Sequence, residues 1–184
     1  MFKDFNIDKF KKIKPPSDNS FDTMREVKEI KKLPLNKDKI KKFDNIEKTF
    51  KSIADSNNIK DYPSKLIKNL INKSAPIILK LKKHFNRPRP KVIAKKMGIK
   101  MKDFEMNSMK TPSYPSGHSA QGILIGMVLS KIYPAHAKQF KKAGENISDS
   151  RNIAKAHYKS DSKMGKQLGA AMYNHIKSKI NNLK

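Results

Sequence analysis

The chain has 184 residues, no cysteine and a formal net charge of +26 at pH 7, which suits a single domain and excludes disulfides and thiolate metal sites. Nearly all of the positive charge is lysine, and such a surface attracts anions of any kind, from nucleic acid and lipid headgroups to phosphorylated small molecules. Charges interrupt the N-terminus, and no apolar run approaches the roughly 20 residues of a membrane span, so we expect a soluble, cytoplasmic protein.

Residues 1–16 are predicted to form an N-terminal arm that ends at two prolines. The arm is amphipathic, and its phenylalanines could pack on a partner subunit in a homodimer. These phenylalanines are Phe2, Phe5 and Phe10. Residues 17–184 are then predicted to form one α-helical domain.

Helical periodicity begins directly after the arm. Apolar spacing predicts a helix that ends before Pro34, followed by a second helix over 40–53 with Asn36 as its N-cap. A third helical region is kinked or divided by Pro76. It must stop before residues 87–90, an Arg-Pro-Arg-Pro stretch that we expect to be extended, because proline restricts both its own backbone and that of the residue before it.

The second half of the chain has a turn-rich segment between helices. We interpret the methionine-rich stretch 97–109 as a loop, with a lid over a site as the alternative, and 111–117 as a turn. A buried helix over 118–132 follows, with glycines that allow close helix packing, and further helices are predicted over 134–144 and 162–180. These glycines are Gly122 and Gly126. No strand pattern or internal repeat occurs, so the predicted fold is all-α, a compact helical bundle.

Three short segments stand out from the lysine-rich background. They are KKHFNRPRP at 82–90, PSGH at 115–118, and the segment 150–161, in which Ser-Arg is followed by a histidine and an aspartate. Two arginines and a lysine can surround a tetrahedral dianion, because guanidinium forks match phosphate oxygens and lysine adds a compact charge. The segments therefore predict an anion site.

The same segments offer groups for phosphoryl transfer. Ser116 and Gly117 precede an apolar helix, whose first N–H groups and dipole favour an anion, and His118 can donate a proton. His157 and Asp161 are four residues apart and would touch on one face of a helix. A carboxylate on one imidazole nitrogen fixes the tautomer and leaves the other nitrogen free to attack. The set predicts a nucleophile, an orienting acid, a general acid and a positive clamp.

The order Lys-x6-Arg-Pro, Pro-Ser-Gly-His and Ser-Arg-x5-His-x3-Asp resembles the type 2 phosphatidic acid phosphatase superfamily. That superfamily includes bacterial class A non-specific acid phosphatases and vanadium-dependent haloperoxidases, and the text PSYPSGHSAQG is similar to its soluble members. The resemblance spans residues 82–161. It implies an α-helical bundle and a metal-independent phosphatase that hydrolyses phosphate monoesters through a covalent phosphohistidine, with no cofactor.

The resemblance also implies a role for each matched residue. His157 corresponds to the nucleophile, Asp161 to the acid that orients it, and His118 to the histidine that protonates the leaving oxygen. The remaining matched positions correspond to groups that bind phosphate, the glycine through its backbone. They are Lys82, Arg89, Ser116, Gly117 and Arg151.

The first motif can be read in two registers. Lys80 with Arg87 satisfies it as well as Lys82 with Arg89 does. We prefer the second pair because similar soluble acid phosphatases often carry an extra arginine two residues before the motif arginine, which would make Arg87 a supporting or surface charge. The third motif departs from many relatives at Lys159, where they have proline, and this change affects local backbone more than chemistry.

Three alternative functions stay open. The same site could act on lipid phosphates or diphosphates at an anionic membrane surface, to which the positive surface would dock. Haloperoxidase activity with vanadate is a second alternative, although haloperoxidases are generally much longer. The third is a basic nucleic-acid-binding protein with a vestigial site. We expect a phosphorylated small-molecule substrate and no specific nucleic-acid partner, since arginine, the usual reader of bases, is scarce.

Overall fold

The computed structural model describes residues 1–180, so the last four residues of the predicted domain 17–184 lie outside the described residues. Over residues 1–180 all regular structure is helical, without strands, which confirms the predicted fold class. Nine α-helices follow one another: α1 (Asp8–Lys11), α2 (Phe21–Lys32), α3 (Lys37–Asp44), α4 (Ile46–Ser56), α5 (Ser64–Phe85), α6 (Pro90–Lys96), α7 (Gly117–Ile132), α8 (Ala137–Ile153) and α9 (Lys159–Ile176). In this described part of the chain, no helix is both long enough and apolar enough to cross a bilayer.

Helix α7 lies at the centre of the bundle, because most of its side chains are apolar or small. Helices α8 and α9 approach it closely at glycines. A Cβ at Gly126 would lie 2.8 Å from the carbonyl oxygen of Phe140, and a Cβ at Gly165 would lie 2.4 Å from that of Ser116. The close packing predicted for Gly126 is therefore confirmed, and α9 uses its own glycine to reach the start of α7.

The N-terminal arm packs on its own chain. Phe2 and Phe10 are buried in the main hydrophobic core. Phe5 stacks on Phe10, with ring centroids 5.8 Å apart, and meets the edge of His175 in α9. Phe2 and Phe10 are thus covered within the chain and Phe5 is partly covered. The homodimer stays a prediction.

The single helix predicted over 40–53 is wrong, since the chain forms two helices, α3 and α4, that meet at Asn45. Asn45 has an extended backbone, and its side-chain oxygen accepts a hydrogen bond from the N–H of Lys48 at 2.8 Å. It therefore caps α4 in the same way that Asn36, as predicted, caps α3. The break leaves Asp44 at the C-terminal end of α3, where it faces the start of α7 and the last turn of α8.

Two other helix boundaries differ from the sequence prediction. Helix α8 continues well past Gly144, because this glycine is a packing position and not a stop: its Cβ would lie 2.6 Å from the carbonyl oxygen of Gly122. The extension brings Arg151 into the last turn of α8. Helix α9 begins at Lys159 and ends at Ile176, earlier at both ends than predicted, and Pro76 lies inside one continuous α5.

Candidate active site

The three sequence segments meet at the N-terminal end of α7. The predicted residues occupy the last turn of α5 (Lys82), the extended link to α6 (Arg89), the start of α7 (Ser116, Gly117 and His118), the last turn of α8 (Arg151), the α8–α9 link (His157) and the first turn of α9 (Asp161). The backbone also joins the segments, since the Ser116 N–H donates to the carbonyl of Asp161 at 3.0 Å. Elements distant in sequence therefore bring every predicted site residue to one place.

His157 and Asp161 touch, but not through a shared helix face. His157 lies in the link before α9, and Asp161 is the third residue of that helix. One carboxylate oxygen, Oδ2, lies 3.2 Å from Nδ1 of His157 and accepts the N–H of Tyr158 at 3.0 Å. Asp161 thus caps its own helix with the oxygen that orients the histidine. The predicted contact is confirmed, although the backbone at His157 is not helical, because α9 begins two residues later.

The hydrogen bonds of His157 define its tautomer. A guanidinium nitrogen of Arg89, Nη1, lies 3.0 Å from Nε2 of His157. Arginine has only donors, so Nε2 accepts through its lone pair and Nδ1 carries the proton that is donated to Asp161. Burial lowers the pKa of His157 well below its usual range, and the charges of Arg89 and Lys82 act in the same direction. The ring is therefore neutral, with Nε2 facing the cations.

Arg89 is held in place by backbone carbonyls. It donates to the carbonyl oxygens of Thr111 at 2.9 Å, Ala156 at 2.7 Å and Ser108 at 3.0 Å. Burial lowers the pKa of Arg89 to about 10, so it stays charged at neutral pH. These contacts fix the planar fork but also occupy its donors. A phosphate in the site would have to replace some of these acceptors, and the fixed side chain would lose little further freedom on binding it.

Lys82 lies beside Arg89 and is 5% exposed, whereas Lys80 is exposed on the outer side of α5. The ammonium of Lys82 donates to the carbonyl oxygen of Pro112. Burial, with a further contribution from the charge of Arg89, lowers the pKa of Lys82 to about 7. An anion in the site would favour the charged form of this lysine. Of the two registers of the first motif, the structure brings the Lys82 register to the site.

Asp44 joins two of the predicted site residues and was missed in the sequence. Its Oδ1 accepts from Nη1 of Arg151 at 2.7 Å and lies 3.6 Å from Nε2 of His118. The same imidazole nitrogen is 3.0 Å from the Asp44 carbonyl oxygen. The sequence feature that could have marked Asp44 is the capping residue Asn45 directly after it, which ends α3 at the site.

His118 has a pKa that its surroundings lower to about 4. Burial is the main cause, the charge of Arg151 acts in the same direction, and Asp44 opposes both. The contact between Nε2 and a backbone carbonyl requires a proton on that nitrogen, because a carbonyl only accepts. His118 therefore carries a proton on Nε2, which it donates to Asp44 at the mouth of the site.

Ser116 and Gly117 form the start of α7. The Ser116 hydroxyl oxygen accepts the N–H of Ser119 at 3.3 Å and its hydroxyl at 2.9 Å, so Ser116 is the N-cap. A Cβ at Gly117 would meet only the side chain of Ile78, at 3.4 Å, so packing alone does not demand a glycine there. The phosphate-binding role of these two residues stays a prediction.

Arg87 is buried behind Asp161 and is not a surface charge. Its Nη1 donates to Oδ1 of Asp161 and to the hydroxyl of Ser160, both at 2.7 Å, and its guanidinium lies 3.8 Å from the ring centroid of Tyr158. Burial raises the pKa of Asp161, and the Arg87 charge is the strongest influence against that rise. Arg87 thus supports the orienting acid, and its sequence signal was the second arginine of the Arg-Pro-Arg-Pro stretch.

Asn152 fixes the backbone beside His157. Its amide nitrogen donates to the carbonyl oxygen of His157 at 2.9 Å, and its oxygen accepts from the hydroxyl of Ser162 at 3.1 Å. These two bonds join the end of α8 to the first turn of α9. No feature of the sequence distinguished Asn152 from the many other asparagines of the chain.

The mouth of the site is a cavity of about 830 Å³. Its inner wall includes Arg89 and His118, and its outer wall is the stretch predicted as a loop or lid, which ends in a 3-10 turn at Asn107–Lys110. Lys91 in α6 pairs with Asp103 at 3.1 Å and with Glu105 at 2.9 Å, so ion pairs hold this wall. The apolar part of the wall is Phe104, Met106 and Met109.

Metal-ligating side chains do not converge in the part of the chain that the structure describes. Over residues 1–180, no three or more His, Cys, Asp or Glu side chains are placed to hold an ion together. The positive charge around His157 comes from Lys82, Arg89 and Arg151. The arrangement can bind an anion, present an unprotonated imidazole nitrogen to it and offer a second imidazole for proton transfer.

A family model described as the PAP2 superfamily matches residues 65–183. The chain belongs to this superfamily. Three curated relatives show where within it the similarity lies. A non-specific acid phosphatase of Salmonella typhimurium is 32% identical over 139 residues, 73% of this chain and 55% of the relative. A non-specific acid phosphatase of Salmonella typhi is 34% identical over 97 residues (53% and 38%), and an acid phosphatase of Zymomonas mobilis is 33% identical over 100 residues (54% and 38%).

The superfamily that the motifs resembled is thereby confirmed. The chain spans about half the length, or less, of the three acid phosphatases described above. The matched segment 65–183 contains all three motifs and leaves out helices α2, α3 and α4. Asp44 and the neighbours of Arg87 on α2 therefore come from outside the segment that defines the superfamily.

Proposed function

We propose that the protein is a metal-independent phosphatase that hydrolyses phosphate monoesters through a phosphohistidine on His157. The tautomer of His157 supports this most, since Asp161 lies 3.2 Å from Nδ1 and leaves Nε2 unprotonated, 3.0 Å from Arg89. A neutral imidazole that is oriented by a carboxylate and faces an anion clamp is an activated nucleophile for a phosphoryl group. Relatives named acid phosphatases agree with this chemistry.

The reaction has two steps in this proposal. The substrate phosphate first replaces Nε2 of His157 as the acceptor of the Arg89 N–H, which frees the lone pair. Nε2 then attacks phosphorus in line, the bond from phosphorus to the leaving oxygen breaks, and His118 gives its proton to that oxygen. His118, now neutral, takes a proton from water, which attacks the phosphohistidine and releases inorganic phosphate. Asp161 stabilises the imidazolium that forms. Charge on the equatorial oxygens is met by the clamp and by the first N–H groups of α7. The clamp consists of Lys82, Arg89 and Arg151.

Trapping the intermediate tests this proposal. Wild-type protein turning over a ³²P-labelled aryl phosphate and quenched in alkali should carry acid-labile label on the peptide that contains His157. Vanadate should abolish both turnover and labelling, because it mimics the five-coordinate transition state. Turnover with label on a different peptide would contradict the assignment of the nucleophile. The absence of turnover in folded protein with every labelled monoester tested would contradict the proposed activity.

The pH profile should be displaced to acid pH. A general acid acts below its own pKa, and burial lowers the pKa of His118 to about 4, so kcat/KM should fall as pH rises above this value. A bound phosphate adds negative charge and raises this pKa, so kcat should persist to higher pH than kcat/KM does.

Asp44→Asn gives the matching test of this pH dependence. The carboxylate of Asp44 raises the pKa of His118 and also pairs with Arg151. Its removal lowers the pKa of His118 directly, and it also leaves the Arg151 charge, which lowers the same pKa, without its partner. We therefore expect the fall of kcat/KM to move to lower pH than in wild type. A move to higher pH, or an unchanged profile, would show that His118 is not the group that titrates.

A further inference from the structure

Glu26, a residue of α2, contacts Arg87 and Ser160 beside Asp161. It is 8% exposed although glutamate is rarely buried. Its Oε1 accepts the backbone N–H of Ser160 at 2.6 Å, and its Oε2 accepts the hydroxyl of Ser160 at 2.7 Å and Nη2 of Arg87 at 3.3 Å. Both carboxylate oxygens therefore accept hydrogen bonds from residues beside Asp161, Ser160 in sequence and Arg87 in space.

These contacts act at the N-terminus of α9, where backbone N–H groups lack partners within the helix. Ser160 is the second residue of α9 and directly precedes Asp161. Glu26, although far away in sequence, supplies the missing acceptor and adds negative charge at the positive end of the helix dipole. The first turn of α9 is thus held in place by a residue of another helix.

Arg87 connects Glu26 to Asp161 by a fixed fork. One guanidinium nitrogen donates to Asp161 at 2.7 Å, and the other donates to Glu26 at 3.3 Å and to Thr23 at 3.2 Å. The Arg87 side chain is 1% exposed and that of Asp161 is fully buried. A buried cation between two carboxylates is sensitive to the loss of either one, because the remaining charges are then left unbalanced.

We propose that Glu26 is a positioning residue for catalysis, which acts through Arg87 and Ser160 to hold Asp161 against His157. This inference rests on the proposed phosphohistidine chemistry. Glu26 lies outside the matched segment 65–183. The residue therefore extends the active-site machinery to the N-terminal part of the chain. Its role is to keep the Nδ1–H tautomer of His157 populated, without any contact to the phosphate.

Glu26→Gln tests the inference with almost no change of shape. A glutamine has one donor and one acceptor in place of two acceptors, so in either orientation its NH₂ faces a donor, either the N–H of Ser160 or the guanidinium of Arg87. We expect kcat to fall about ten- to a hundredfold, because small misplacements of a reacting group have effects of this size. KM and the affinity for inorganic phosphate should stay within about twofold of wild type, since the clamp is untouched.

Glu29→Gln is the matched control. Glu29 lies one turn further along α2 and pairs with Lys159, also in the first turn of α9, at 2.8 Å. The side chain of Lys159 is 54% exposed and that of Glu29 is 38% exposed, so the pair contributes little to stability. All kinetic constants of this variant should equal those of wild type. Ser160→Ala removes the bridging hydroxyl but keeps both charges, and it should lower kcat in the same direction as Glu26→Gln.

Two further readouts separate positioning from simple loss of structure. The number of phosphate sites per chain, titrated by calorimetry, should stay at the wild-type value in Glu26→Gln, and a decrease parallel to kcat would overturn the proposal in favour of partial unfolding. The ¹⁵N signals of the His157 ring should show one fixed Nδ1–H tautomer in wild type and a mixture in Glu26→Gln. Unchanged signals together with unchanged kcat would also overturn it.

The same experiments distinguish this inference from the proposed function. If wild type and Glu29→Gln both lack turnover, the proposed function fails, and the ¹⁵N signals still report whether Glu26 fixes the tautomer of His157. If both turn over normally and Glu26→Gln equals them, the proposed function stands and the role of Glu26 is overturned.

Discussion

Replacing His157 with alanine should lower kcat by at least about 10⁴-fold, the largest effect that we expect of any single substitution. The imidazole is 4% exposed, and Nε2 is its only ring nitrogen that is not bonded to Asp161. Without it, the reaction requires direct attack by water in a site that holds no group aligned to form a covalent intermediate. The clamp of Lys82, Arg89 and Arg151 keeps its charge, so the variant should still bind inorganic phosphate.

His84→Ala is the control for this substitution. His84 is exposed on α5, and its ring meets only the edge of Phe85 among aromatic neighbours that the structure describes, with centroids 4.7 Å apart. Its loss should leave kcat and KM within about twofold of wild type, as for most exposed positions. The measurement is p-nitrophenyl phosphate hydrolysis across pH, with phosphate binding as the check on folding. A His157→Ala protein that keeps a tenth of the wild-type rate would show that another group attacks phosphorus.

Much of the fold was predictable from apolar periodicity, and two of the wrong helix boundaries have different physical causes. Gly144 looked like a helix end because glycine disfavours helices in isolation, yet tertiary packing against α7 overrides that preference. Asn45 lies inside an apolar pattern that continues through it, and only its capping geometry divides α3 from α4. A tertiary contact decided the first case, and a local hydrogen bond from the backbone to a capping side chain decided the second.

The candidate site was predictable where three motifs carried it, and not where single residues from other helices completed it. His157, His118 and Lys82 were found because each lies in a short, ordered pattern. Asp44 and Glu26 lie on α3 and α2, among many charged residues that are exposed. Their burial or their contacts with arginine, not their sequence neighbours, distinguish them. Supporting residues of this kind need the structure to be recognised.

The open alternatives differ in how they would use the same site. The lipid-phosphate and haloperoxidase alternatives require the same anion clamp, so neither is separated from the monoester reaction by geometry, and both stay predictions. The nucleic-acid alternative requires a vestigial site. The fixed tautomer of His157 and the layered support of Asp161 by Arg87 and Glu26 speak against it, because buried ion networks are costly to keep without a function.

Asp161→Asn should lower kcat by on the order of 10³- to 10⁴-fold, although it changes a single atom type. Both carboxylate oxygens of Asp161 face donors: Oδ1 faces Arg87 at 2.7 Å, and Oδ2 faces the N–H of Tyr158 and Nδ1–H of His157. The carboxylate matches this environment because it only accepts. An amide replaces one acceptor by an NH₂ group, and neither orientation fits.

The two orientations fail for different reasons. With the NH₂ toward Arg87, a buried ion pair is lost and two donors oppose each other, which leaves the guanidinium unbalanced. With the NH₂ toward His157, the ring must accept at Nδ1 and carry its proton on Nε2, so the nucleophilic nitrogen is blocked. The second orientation opposes donors at the Tyr158 N–H and at Arg89, but it keeps the buried Arg87 ion contact. We therefore expect it to be the populated one, with the wrong tautomer of His157.

Tautomer and rate can be measured on the same variant. The ¹⁵N spectrum of Asp161→Asn should show the proton of the His157 ring on Nε2, while KM changes little because the clamp is intact. Asp149→Asn, the same substitution at an exposed position of α8, should match wild type in both measurements. If Asp161→Asn keeps the Nδ1–H signal and still loses activity, Asp161 acts by stabilising the imidazolium of the intermediate and not by fixing the tautomer. If it keeps the wild-type rate, His157 needs no orienting carboxylate, and the arrangement of Arg87 and Glu26 behind it has no catalytic consequence.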